Sequence, residues 1–211
     1  MPVPKGVNLA MLMPIDTLVF DFERVGFEPP HWGFEINKDG HGRYYVKGKP
    51  TEANPSGNDW HDVIVGPQTL EILMQGVTKV GAGKGCETKA KNIAQTGKKK
   101  LSYVCSDVWW ICEFNYSDDE GVMKAANAFQ SMAETIQIGE KLKHNLRYDR
   151  LSLDAEMDAL VEEVKSGSAI EVQNIAPVLQ SLIDDDRVME RVKRKAGRLL
   201  EGAGIAVKQI P

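Results

Sequence analysis

The sequence predicts an α+β fold, in which an antiparallel sheet built from hairpins carries helices on one face and an all-helical C-terminal subdomain follows. Three observations predict it. Runs with a two-residue apolar period recur between Thr17 and Tyr116, the period changes to 3.6 residues immediately afterwards, and beyond Leu146 only helical periodicity remains. The expected division is 15–146 for the α+β domain and 147–211 for the helical part, with one continuous core as the alternative, because no Gly/Ser linker separates them.

The elements follow in order. Met1 to Pro14 contains three prolines and reads as an irregular arm. In Thr17 to Arg24, Leu18, Phe20 and Phe22 alternate with Thr17, Val19, Asp21 and Glu23, the pattern of a half-buried strand. Gly26 and two prolines break it before Pro30. Trp32 to Asn37 and Arg43 to Lys47 flank Asn37-Lys38-Asp39-Gly40, so a hairpin is expected, with Asp39-Gly40 supplying positive φ. A polar loop, Gly48 to Asn58, leads to a short strand at Trp60 to Val65. Gly66-Pro67 then opens a helix with Leu70, Leu73 and Val77 on one side, fading at Gly76 or Gly81.

A second hairpin is expected from Leu101–Cys105 and Trp109–Tyr116, which feeds the longest helical pattern of the chain. Ser117 and Glu120 have the spacing of a capping box. Val122, Ala126, Phe129, Ala133, Ile136 and Leu142 then form one apolar stripe, with Gly139 as its weak point. In the tail, Leu153, Met157, Leu160, Val161 and Val164 share a face that Gly167 ends. Ser168 and Glu171 suggest another capping box, Pro177 a restart capped by Asn174, and Val188, Val192, Ala196 and Leu199 a last helix from about Asp185 to Glu201. The segment from Asn174 to Gly204 resembles one unit of a HEAT-type repeat, but a solenoid needs several, so a plain helical hairpin is expected.

With 42% hydrophobic and 27% charged residues and a net charge of −4, composition is that of an ordinary globular chain and does not point to nucleic acid. No run of eighteen apolar residues is present to cross a membrane. The chain is expected to be cytoplasmic, or extracytoplasmic if it is a mature form lacking its signal peptide. Of three cysteines, Cys86, Cys105 and Cys112, none has CxxC spacing; the readings are buried thiols or one disulfide, with Cys86–Cys112 the favoured pair.

Candidate chemistry is sparse, and no cofactor is expected. Gly81-Ala82-Gly83-Lys84-Gly85 imitates a phosphate loop, but Thr78 takes the place of its first glycine and Gly85 that of its hydroxyl residue. Around it gather Lys79, Lys84, Lys89, Lys91, Lys98, Lys99 and Lys100 with Glu87 as the sole acid, a loop that could meet an anionic polymer or an acidic protein surface. His31, His41 and His61 with Asp62 could hold a metal for a hydrolase, although neither HExxH nor HxH spacing occurs. Trp109 and Trp110 are adjacent in a strand and must face opposite sides, so one of them is a candidate anchor for a partner. The leading expectation is a non-catalytic protein- or polymer-binding module using Trp109, Trp110, Lys84, Lys89, Lys98, Lys99 and Lys100. A metal-dependent hydrolase and an anion-binding protein working through loop 79–100 are the rivals.

The order of strands, helix, hairpin and helix, together with FERVGF at Phe22 to Phe27, resembles the emfourin-type inhibitors of metalloproteases over Thr17 to Leu142. The resemblance implies an inhibitor-like binding role and leaves the C-terminal helices outside it.

Overall fold

The computed structural model describes residues 17–52, 54–79, 86, 96–105 and 108–206. The N-terminal arm, the Gly81–Gly85 segment, Lys84 and Lys89 lie outside them. Six strands form one sheet in the order β4-β3-β2-β1-β5-β6, every neighbouring pair antiparallel. They are β1 (Thr17–Glu23), β2 (His31–Asn37), β3 (His41–Lys47), β4 (Asn58–Ile64), β5 (Lys98–Cys105) and β6 (Val108–Phe114). The helices are α1 (Pro67–Lys79), α2 (Glu120–Tyr148), α3 (Leu153–Ser166), α4 (Ala176–Asp184) and α5 (Glu190–Gly202). The expected α+β fold, with its helical C-terminal part, is therefore present.

Strand β1 pairs on both sides, with Phe20 opposite Phe34 of β2 and Leu101 of β5. Alternation puts Leu18, Phe20 and Phe22 on the inner face with Trp32, Phe34, Ile36, Tyr44, Leu101, Cys112 and Phe114, all buried. Aromatic rings fill its centre: Trp32 stacks 4.9 Å from Phe22, and Phe34 lies tilted 5.0 Å from Tyr44. The β2–β3 turn forms as expected, with the Gly40 N–H donating to the Asn37 carbonyl at 3.0 Å and the His41 N–H to Asp39 Oδ1 at 3.0 Å. Only Gly40, at φ 83°, takes a positive φ in this turn.

Helix α1 continues through Gly76; a side chain there would strike Ala125 and the Gly121 carbonyl, so the glycine lets α1 and the first turns of α2 approach closely. At the start of α2 the cap is Asp119 rather than Ser117. Asp119 Oδ1 accepts the Val122 N–H at 3.0 Å, while the Ser117 hydroxyl accepts the Asp119 N–H at 3.1 Å. Two stacked local bonds thus move the cap two residues on.

The chain divides into two compact units, 1–127 and 128–211, and the division falls inside α2. From Ala128 on, α2 buries more than one stripe, including Met132, Thr135, Ile138 and Asn145, and so behaves as the first helix of the helical unit. That unit's core joins Leu142, Leu153, Met157, Leu160, Leu179, Leu182, Val192, Ala196 and Leu200. Gly139 is a contact point and not a weak one, since a Cβ there would overlap Ile175. Thr135 donates its hydroxyl to the Ile170 carbonyl at 2.6 Å. Residues 168–171 are not helical; a 3₁₀ turn at Val172–Ile175 precedes α4, with Pro177 in its first turn. Lys195 reaches both Asp154 at 2.8 Å and Asp158 at 2.6 Å, pinning α5 to α3 and holding the Asp154 carboxyl below its ordinary range.

A disulfide joins Cys86 to Cys112, with Cα atoms 5.5 Å apart, and ties the segment after α1 to the inner face of β6. Closing the loop between residues 26 apart should stabilise the fold by about 3.5 kcal/mol. Urea unfolding with and without reductant should show a correspondingly lower midpoint in the reduced protein. Unreduced, denatured protein should take up one thiol label per chain, at Cys105; an unchanged midpoint or three labels would contradict the pairing.

Candidate functional site

The sheet's outer face carries a polar row generated by register alone. Glu113, Lys100, Asp21, Gly33, Tyr45 and Trp60 are successive cross-strand partners from β6 to β4. Gly33 is the gap that organises the row, because a side chain there would occupy the space of the Tyr45 ring. Tyr45 lies over the glycine and donates its hydroxyl to Asp21, two strands away. His31 Nε2 stands 3.3 Å from the same Asp21 oxygen. Beyond Tyr45, the Trp60 ring is 5.0 Å away, Arg43 stacks on Trp60 at 4.4 Å, and Arg43 also donates to Glu35 at 2.7 Å.

Tyr45 is buried, and that burial, followed by its bond to Asp21 and the charges of Asp21 and Glu35, pushes its phenol far above the ordinary range. A phenol held neutral is a fixed donor and not a base. The cluster therefore orients groups rigidly.

At the end of this face the β1–β2 connection, residues 24–30, projects apolar side chains into solvent. Val25 is 90% exposed and Phe27 is 50% exposed. The loop is nevertheless braced: the Arg24 guanidinium lies 3.7 Å above the Phe27 ring, and the Arg24 N–H donates to the Pro30 carbonyl at 2.8 Å. The Glu28–Pro29 peptide is cis. Beside it opens a hollow of about 480 Å³ lined by Glu23, Arg24, Val25, Gly97 and Lys98.

The structure sorts the residues expected from sequence. Lys98, Lys99 and Lys100 belong to β5 and not to a loop. Lys98 is exposed and pairs with Glu113 at 3.4 Å. Lys99 faces inward between Phe22 and Phe114 and is only 2% exposed, so it is no surface anchor. Its ammonium donates to the Asn115 carbonyl at 3.0 Å and the Thr96 hydroxyl at 3.2 Å, and burial, then the charge of Arg24, lowers its pKa. Trp110 is half-buried on the inner face against Tyr103, ring centres 5.5 Å apart. Trp109 pairs with Val104 in the ladder, and its side chain lies outside the described residues.

The histidines are not brought together. His31 and His41 each begin their strand, and because β2 and β3 are antiparallel they sit at opposite ends of the hairpin, about 20 Å apart on strand geometry. His61 faces the inner side beside Tyr44, at 6.1 Å between rings, while its neighbour Asp62 faces outward. Among the described residues no group of three His, Cys, Asp or Glu is placed to hold a metal ion.

Sequence reasoning missed Val25 and Phe27 as site residues, although FERVGF contains both. The signal was an apolar pair between a strand end and two prolines, where nothing in the pattern asks for burial.

The stability of the fold should register Tyr45 at alkaline pH. Unfolded tyrosine ionises near pH 10, whereas the folded phenol does not, so stability is fully present below that pH and falls above it by up to about 1.4 kcal/mol per unit. Urea stability of Tyr45→Phe should lack this part of the slope; parallel curves for the two proteins would contradict the assignment.

No known protein-family model matches the chain, and no curated protein shows significant similarity to it.

Proposed function

We propose that the α+β part is a non-catalytic protein-binding module of inhibitor type, which inserts loop 24–30 into a cleft of its partner. The observation that carries the reading is the exposed but braced tip: Val25 and Phe27 sit in solvent while Arg24 and the bond to Pro30 hold the loop's shape. Exposed aromatic side chains on a pre-ordered loop lose little freedom on binding, the condition for an energetic anchor. Charged side chains of both signs, Glu23, Arg24 and Lys98, line the adjacent hollow beside the apolar tip and could pair with polar groups at the rim of a cleft. The element order, together with FERVGF, resembles emfourin-type inhibitors at the level of the fold, and this makes a metalloprotease the partner to test first.

Titration of a thermolysin-type zinc endopeptidase with the full chain tests the reading. Stoichiometric loss of peptidase activity is expected from the wild type, and Phe27→Asp should weaken inhibition at least about tenfold without altering the circular-dichroism melt. Equal inhibition by both proteins, or none by either, contradicts the proposal.

A further inference from the structure

Helix α5 carries more positive charge than its own unit uses. Val192, Ala196, Leu199 and Leu200 are buried in the core of the helical unit, and beside them Arg191 and Lys195 reach Asp154 of α3 at 2.9 and 2.8 Å. The remaining cations, Lys193, Arg194 and Arg198, lie outside that apolar arc and have no ion-pair partner among the described residues. They frame Gly197. Glycine is less favourable than alanine inside a helix, so a glycine kept there points to something that needs the space. Gly76 of α1 and Gly139 of α2 mark such places, since a Cβ at the first would strike Ala125 and at the second Ile175 of a packed neighbour. A Cβ at Gly197 would meet nothing within 4 Å. The notch is cut, and no described residue fills it.

We propose that Gly197 is the crossing point for an acidic α-helix of a partner protein, whose backbone lies against the notch while its carboxylates meet Lys193, Arg194 and Arg198. On helical geometry the three cations spread over about 7.5 Å of axis and about 140° of arc around the glycine, a patch that one crossing helix covers. Arg194 and Arg198 are exposed, and a guanidinium pairs bidentately with a carboxylate. A nucleic-acid strand fits less well: running past the patch, it would meet Glu190 and Glu201 at the two ends of α5 and Asp184, Asp185 and Asp186 just before it. A membrane surface fits less well again, because the apolar face of α5 is already buried in the core. A single helix crossing is below the size of a permanent interface, so the complex is transient. The site belongs to the helical unit and does not depend on the inhibitor reading.

Fluorescence anisotropy with the full chain tests it, the probe being a labelled helical peptide of about 20 residues with alanine at its centre and glutamates three and four positions to either side. The wild type should bind this peptide at low salt and release it as salt is raised. Gly197→Leu should weaken binding about tenfold or more while the melting temperature stays the same or rises, because leucine suits a helix and the space is open. Reversal of charge by Arg194→Glu together with Arg198→Glu should weaken it by about tenfold or more as well. A short labelled DNA duplex, measured alongside, should bind more weakly than the peptide. No binding of the peptide, a loss on charge reversal with no effect of Gly197→Leu, or a duplex held as tightly as the peptide overturns the proposal.

Discussion

The two-sided pairing of β1 is the constraint on which the first unit depends. It is the strand that joins the β2–β4 meander to the β5–β6 hairpin, and each of its residues has a partner on both sides. A slip of one residue would expose Leu18, Phe20 and Phe22 and bury Asp21 and Glu23. The same register that builds the aromatic core also sets Asp21 beside Gly33 and within reach of Tyr45 and His31. Core and outer row are thus two faces of one pairing decision, and neither can change without the other.

Rigidity at the sheet end follows from this arrangement. Lys99 is held under Phe22 by oxygen acceptors from Thr96 and Asn115, and Gly97 packs against Phe22 and Arg24. Arg24 in turn caps Phe27. A chain of contacts therefore runs from the buried core to an exposed loop tip, which is how a scaffold presents a binding loop at small entropic cost. On the proposed reading, the buried lysine serves the site by holding the ground beneath it rather than by meeting a ligand.

Much of the fold was legible because local chemistry and tertiary packing agree. The alternation in β1, the turn at Gly40, the stripe of α2 and the pairing of Cys86 with Cys112 all follow from patterns within one or two elements. Lys99 was misplaced because a run of lysines reads as solvated, yet the alternation of Leu101 and Tyr103 extends back to it. The Asp21–Gly33–Tyr45 row was out of reach, since it needs the register of three strands at once. The division inside α2 was out of reach as well: one stripe describes the helix from Val122 to Leu142, and the wider buried surface after Ala128 emerges only when the tail's helices are assembled around it.

Native-state hydrogen exchange along the sheet is the most direct test of β1 as the strand that sets the fold. The account predicts that the amides of Leu18 to Phe22 exchange only with global unfolding, in step with their partners in β2 and β5. Exchange of β5 and β6 through a separate, lower-energy opening that leaves β1 and β2 paired would contradict it.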